Sequence, residues 1–404
     1  MWQTLRALPR TVWLIGLISL VNDAASDLVY PLVPLYLTSV LMAGPRALGI
    51  IEGIAEATAS LLKLVSGVWV DRARRTKPWI VAGYGLAGLA RPLIAVVSSW
   101  PALLAIRFAD RVGKGLRTSP RDALLAASVP PDRRGLAFGV HRAMDNAGAV
   151  IGPLLAAALL ASGMPLRDVF LGTLVPAGVC LALAALLREP TRTAGQPTAT
   201  GPSWNLAGWG ALPATYRRYL AAVALFTLGN SSNMFLLLRA ADLGLQQAQV
   251  PLLWAVVSAI AMALSAPLSG LSDRLGRRGL LVAGHLIYAA VYVALGLGTP
   301  TGWALYALFA CYGVFLAATE GVEKALVADL APVGLRGTAY GWYHMTAGLM
   351  LLPASMVFGA LYEHVSVQAA FGFSAACALG AAGLLWRWVA PPDRSAPQER
   401  GSGT

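Results

Sequence analysis

Charge is scarce in this chain and acid scarcer still: 12% of its 404 residues are charged, with 19 Asp or Glu against 31 Lys or Arg. With 57% hydrophobic residues and a mean hydropathy of +0.63, a water-soluble globule is excluded, because no core is large enough to hide that much apolar side chain. Cysteine is nearly absent. Cys180, Cys311 and Cys377 all fall in apolar segments without paired spacing, which excludes a disulfide framework or thiolate metal site and leaves packing as their role. There is no His-rich tract. There is also no Gly-x-x-x-x-Gly-Lys-Ser/Thr loop, and no soluble stretch is long enough to hold an ATPase. A nucleophile with a base and an orienting group is likewise missing, so enzymatic chemistry is not expected.

What the chain has is long apolar runs. Each is about 20 residues or more, the length that crosses ~30 Å of hydrocarbon as a helix. They predict an all-α membrane protein with twelve spans, at 12–41, 47–69, 79–99, 101–127, 136–162, 168–187, 219–238, 249–271, 279–298, 301–331, 338–362 and 367–386. Arg6 and Arg10 ahead of "VWLIGLISLV" mimic a secretory signal, but the apolar stretch resumes through "LVYPLVPLYL", and a retained first helix is expected. The net charge of +12 is a matter of topology. With both termini placed in the cytoplasm, the inner segments carry 19 Lys or Arg and the outer loops only Arg46, Arg167 and Arg239. The basic excess therefore predicts a multi-pass protein of the inner membrane and no nucleic-acid partner.

Residues 188–216 are the one long stretch rich in Pro, Gly, Thr and Ser, and they lie mid-chain. They predict a bundle at 1–187, a cytoplasmic linker at 188–216, a second bundle at 217–390 and a tail at 391–404. The bundles are related: "DALLAASVPPDRRGLAFG" (122–139) lies over "KALVADLAPVGLRGTAYG" (324–341), and "DRARR" (71–75) over "DRLGR" (273–277). One offset serves both, since 324 − 122 = 202 and 273 − 71 = 202. Six helices repeated with the same orientation predict two parallel repeats about an axis along the membrane normal, with a cleft between them as the natural solute site.

"GVWVDRARR" (67–75) and "SGLSDRLGRR" (269–278) resemble the loop signature of major facilitator superfamily (MFS) transporters, and "GAVIGPLLAA" (148–157) resembles the glycine-proline pattern of that family's exporters and antiporters. The resemblance covers nearly the whole chain and implies two pseudo-symmetric six-helix bundles. It also implies a cavity lined by spans one, four, seven and ten. In the loop motif, Gly67, Asp71, Arg72, Arg75, Asp273, Arg274 and Arg277 are expected to form a conformational latch. Physically, a carboxylate at a helix end can pair with nearby basic groups or accept backbone amides at a helix N-terminus. Gly148 and Gly152, at small-x-x-x-small spacing, predict close helix approach, with Pro153 allowing a bend.

Span four is the anomaly. At about 100° per residue, Arg107, Arg111, Lys114, Arg117 and Arg121 fall within roughly 120° of arc, one cationic stripe. An ion near the bilayer centre costs ~2.5 to 3.5 kcal/mol, so the stripe must face protein or water. Its expected cavity partners are Asn22 and Tyr30 of span one, Asn230 and Asn233 of span seven, and Glu320 and Glu323 of span ten, giving a basic wall opposite an acidic one. The candidates for proton coupling are Asp23 and Asp27, a turn apart, then Glu56, His141 and Asp145. Two such carboxylates in low dielectric cannot both stay ionised cheaply. A structural reading competes, in which Arg91, Arg107, Arg111 and Arg142 neutralise the buried carboxylates.

Together these features predict a proton-coupled secondary transporter, expected as a monomer, that moves a small polar or amphipathic solute outward. It would need no cofactor beyond the ion gradient. Efflux of a divalent metal or metal chelate is a second expectation, with Asp and Glu oxygens and imidazole as ligands but abundant arginines opposing a free cation. A non-transporting sensor or enzyme on the same scaffold is the third.

Overall fold

The computed structural model describes residues 5–30, 32–42, 45–73, 75–189, 206–245 and 250–389, with the backbone alone at 34–35, 38–39, 45–57, 73, 206–208, 234, 241 and 250–252. The described residues hold no strand. Most of the expected linker (190–205) and the expected tail (391–404) lie outside the described residues.

All twelve expected spans are helical. Spans two, four and five are Pro45–Ala73, Trp100–Ala127 and Arg134–Ala161. Spans eight to twelve are Val250–Leu275, Arg277–Leu297, Trp303–Leu330, Arg336–His364 and Val367–Trp388. Four spans are interrupted. Span one is Arg10–Val29 followed by Leu32–Ser39, and span six is Leu166–Gly172 followed by Leu174–Ala185. Span three, Lys77–Ala90, tightens to a 3-10 helix over Arg91–Val96, where Pro92 withdraws its N–H from the helical ladder. Span seven breaks between Ala214–Gly229 and Met234–Asp242. There the Tyr288 hydroxyl donates to the Gly229 carbonyl at 3.0 Å, and the Tyr312 hydroxyl donates to Asn233 Oδ1 at 2.8 Å.

Among the described residues nine helices are long and apolar enough to cross a membrane. Span four is not one of them, because its charges interrupt the apolar window. It still packs as a span, and its charges explain how: Arg107, Asp110, Arg111, Arg117 and Asp122 are all buried. Apolar side chains such as Val96, Leu154, Val175, Leu297 and Leu352 are instead more than half exposed, forming the surface that hydrocarbon would cover.

Spans one to six and seven to twelve form two bundles. They meet where span five packs on span eight and span two on span eleven. Both contacts centre on glycines at one repeat offset, Gly135 and Gly139 in one and Gly337 and Gly341 in the other. Gly135 and Gly139 lie against Ser269 and Ser265, while Gly337 and Gly341 lie against Gly67 and Leu64. A side chain at any of these glycines would meet backbone of the other bundle, so the seam depends on their lacking one. The paired Gly148 and Gly152 lie where span five meets span one. A Cβ at Gly148 would sit 2.5 Å from the Leu20 carbonyl oxygen, and one at Gly152 would sit 2.6 Å from that of Ala24.

Candidate functional site

A cavity of about 460 Å³ lies at the seam between the bundles. Span one contributes Asp23, Ser26, Asp27 and Tyr30; span four contributes Asp110, Arg111, Lys114, Arg117, Thr118 and Arg121. Lys63, Arg91, Arg142 and Asp145 complete the first bundle's share, and the second bundle supplies Lys324, Tyr343, His344 and Ala347. The arginine stripe thus faces this space and buried partners, and the ions of span four are kept from lipid. Of the described lining residues, eight are Lys or Arg and four are Asp.

The expected acidic wall on span ten is not where the carboxylates of the lining lie. Asp23 and Asp27 of span one face the cavity, whereas span ten presents Lys324. Glu320 is drawn to Arg142 at 3.1 Å, and Glu323 accepts from the Tyr343 hydroxyl at 2.5 Å. Asn22 sits behind the lining, with its amide donating to Asp23 Oδ1 at 2.8 Å. Asn230 and Asn233 mark the break in span seven, away from the cavity. Arg107 is likewise behind it, 3.7 Å from Asp110, a carboxylate it shares with Arg91 at 3.0 Å and Arg111 at 4.0 Å. His141 is fully buried, bonded through Nε2 to Ser19 Oγ at 2.9 Å, with Asp145 at 3.6 Å. Asp145 is held by Arg142 at 3.0 Å. The side chain of Glu56 lies outside the described residues.

Three residues absent from the expected site, Asp122, Lys324 and His344, form a second buried ion cluster with Arg121. Asp122, with no exposed surface, contacts Lys324 Nζ at 3.0 Å, His344 Nε2 at 2.9 Å and Arg121 at 3.2 Å. The cluster joins span four of one bundle to spans ten and eleven of the other. Asp122 and Lys324 are also separated by the repeat offset, 324 − 122 = 202. Residues equivalent under a twofold can touch only on its axis, so this pair marks where the axis runs.

The two motif loops lie on the face that carries the chain's described ends. Asp71 accepts from the backbone amides of Gly337, at 2.9 Å, and Thr338, at 2.6 Å, at the start of span eleven. Asp273 does the same for Gly135 and Leu136, both at 2.9 Å, at the start of span five. Each carboxylate caps a helix of the opposite bundle, where the N-terminal dipole and unsatisfied amides favour an anion. Arg277 adds a bond to Asp273 and reaches Asp329 at 3.0 Å, while Arg134 of the first bundle meets the same Asp329 at 2.5 Å. Arg72, Arg75 and Arg274 are exposed. The copies therefore differ, since Arg277 is built into the seam and its equivalent Arg75 is not.

This is two six-helix bundles pinned together on one face around a polar cavity. A model of the Major Facilitator Superfamily matches residues 15–236 and again 219–404. The chain belongs to the major facilitator superfamily. An uncharacterized MFS-type transporter of Methanocaldococcus jannaschii is 30% identical over 95% of this chain and 96% of its own length. The multidrug resistance protein MdtH of Aeromonas hydrophila is 25% identical over 88% of each chain. Among solved structures, the E. coli fucose:proton symporter FucP superposes with a TM-score of 0.74 at 14% identity, covering 93% of this chain and 97% of that one. The chain is thus an MFS transporter with a multi-pass membrane fold, the family's cargo being small-molecule solutes.

Proposed function

We propose that this transporter exports a small polar or amphipathic solute in exchange for protons, by alternating access of the bundles, with its motif face on the cytoplasmic side of the inner membrane. The observation that carries the coupling is the placement of Asp23 and Asp27. They are one turn apart on span one, and both open onto the seam cavity. Carboxylates that bind protons from that space change the cavity's charge as they do so, and with it the affinity for a polar solute. The likeness to MdtH, a protein named for multidrug resistance, favours the outward direction. A basic excess among the described lining residues disfavours a free divalent cation as cargo.

The test is transport in reconstituted vesicles. Asp27→Asn is expected to reduce pH-driven accumulation to the level seen without a gradient while leaving solute equilibration intact. Accumulation equal to that of the unmodified protein removes Asp27 from the coupling step, and retention by Asp23→Asn as well would reject carboxylate coupling on span one.

A further inference from the structure

We infer that the seam cavity recognises its solute through an anionic group, a carboxylate or phosphate, which docks on Arg117. This deepens the reading of the cavity as the solute site and rests on it. The observation that singles out Arg117 is its lack of an ionic partner where its neighbours have one. Arg91 pairs with Asp110, Arg142 with Asp145 and Glu320, and Arg121 and Lys324 share Asp122. Arg111 shares Asp110, and Lys63 and Lys114 each make an interaction of their own. Among the described residues, no carboxylate reaches Arg117, its Nη1 makes no hydrogen bond, and the residue is only 5% exposed.

A guanidinium does not escape burial by losing its proton, so such a group has to be compensated by its surroundings. Part of the compensation is the ring of Tyr84, which lies 4.5 Å from the guanidinium carbon. The ring takes up one side of the guanidinium, and Nη1 keeps its N–H donors without a partner for a ligand to engage. Two parallel N–H donors on a fixed plane match the two oxygens of a carboxylate or phosphate, a geometry that a lysine ammonium cannot reproduce. Long-range charge agrees with this contact. A cationic solute would approach eight basic and four acidic described lining groups, and an anionic one would be drawn in. A volume of about 460 Å³ admits a small organic solute beyond the anionic group itself.

The experiment is ligand-induced thermal stabilisation of the full-length protein in detergent, followed by titration of whatever stabilises it. The probes are carboxylates and phosphate monoesters, each with its uncharged amide or alcohol, a cationic amidine of the same size, and inorganic phosphate alone. Anionic probes are expected to stabilise and their uncharged and cationic counterparts not to. Arg117→Gln should weaken the anionic probes roughly tenfold to a hundredfold, the range of a lost charge-assisted hydrogen bond, with Arg117→Lys in between. Stabilisation by inorganic phosphate alone assigns the site to the free ion; stabilisation by the organic anions only assigns it to a solute that carries the group.

Anions that bind no better than their uncharged counterparts, or that bind Arg117→Gln as tightly as the unmodified protein, overturn the inference. If Arg117→Gln fails to fold, the comparison of each anion with its uncharged counterpart still decides. Binding is read without a gradient, so anion-selective binding in a protein whose transport ignores protons would reject the coupling proposal and leave this one standing.

Discussion

Replacing Asp71 by Asn tests the seam most directly, because the change removes a charge and half of the acceptors without removing volume. Each carboxylate oxygen of Asp71 takes one amide of the facing helix, at 2.9 Å from Gly337 and 2.6 Å from Thr338. An Asn side chain keeps one acceptor and turns an NH2 group toward the other amide. One charge-assisted bond is lost, ~1.5 kcal/mol at the lower end of the range, as suits a partly exposed residue. The favourable interaction of the charge with the helix N-terminus goes too, ~0.5 kcal/mol. The sum of about 2 kcal/mol shifts the balance between closed and open states of the motif face roughly 30-fold. Asp273→Asn acts on a separate helix, through Gly135 and Leu136, so the double variant should shift it by about a thousandfold. The assay is a spin-label distance between Asp132 and Val333, exposed positions of the two bundles on this face, after the three native cysteines are replaced. Single variants should broaden the distribution toward longer distances, and the double variant should make them dominant. Distributions that superimpose on that of the unmodified protein would show that these carboxylates only set topology.

Asp122→Asn leaves Lys324 and Arg121 buried without their carboxylate and should destabilise the protein by about 3–5 kcal/mol, seen as a lower melting temperature in detergent. Adding Lys324→Gln should restore part of that loss, and a double variant as unstable as the single one would refute the pairing. Gly152→Leu forces a side chain into the backbone of span one beside Asp27, and about 1–3 kcal/mol of overpacking should appear as a lower yield of monodisperse protein. Normal yield and melting from that variant would count against close packing of spans one and five.

Most of the fold was legible because hydropathy needs only local chain: every expected span is helical. The breaks were harder to foresee. Span seven reads as one apolar run, yet it opens at Asn230, where Tyr288 of span nine bonds the Gly229 carbonyl and Tyr312 of span ten bonds the Asn233 side chain. Half of the site was legible as well. The stripe on span four and the aspartates of span one announce themselves by their cost in an apolar run, and all but Arg107 of these face the cavity. Glu320 and Glu323 carried the same signal but are consumed by Arg142 and Tyr343, which no spacing along one helix reveals. Lys324 and His344 were missed because their importance is relational. The clue was the alignment itself, which set Asp122 over Lys324: opposite charges at equivalent positions can meet on a twofold axis.

That alignment has a further consequence. Where the first bundle carries His141, Arg142 and Asp145, the second has Tyr343, His344 and Ala347 at the same offset, and it has Glu323 where the first has Arg121. A duplicated frame has been kept while its ionic equipment was concentrated on one copy. In the proposed cycle the two units are a cradle and a cover: one holds the solute, and the other, packed in its own interior by the contacting rings of Tyr288, Tyr292, Tyr312 and Phe315, closes over it. Selectivity should therefore evolve mainly through the inner faces of spans one to five, and rate through the aromatic packing of the cover.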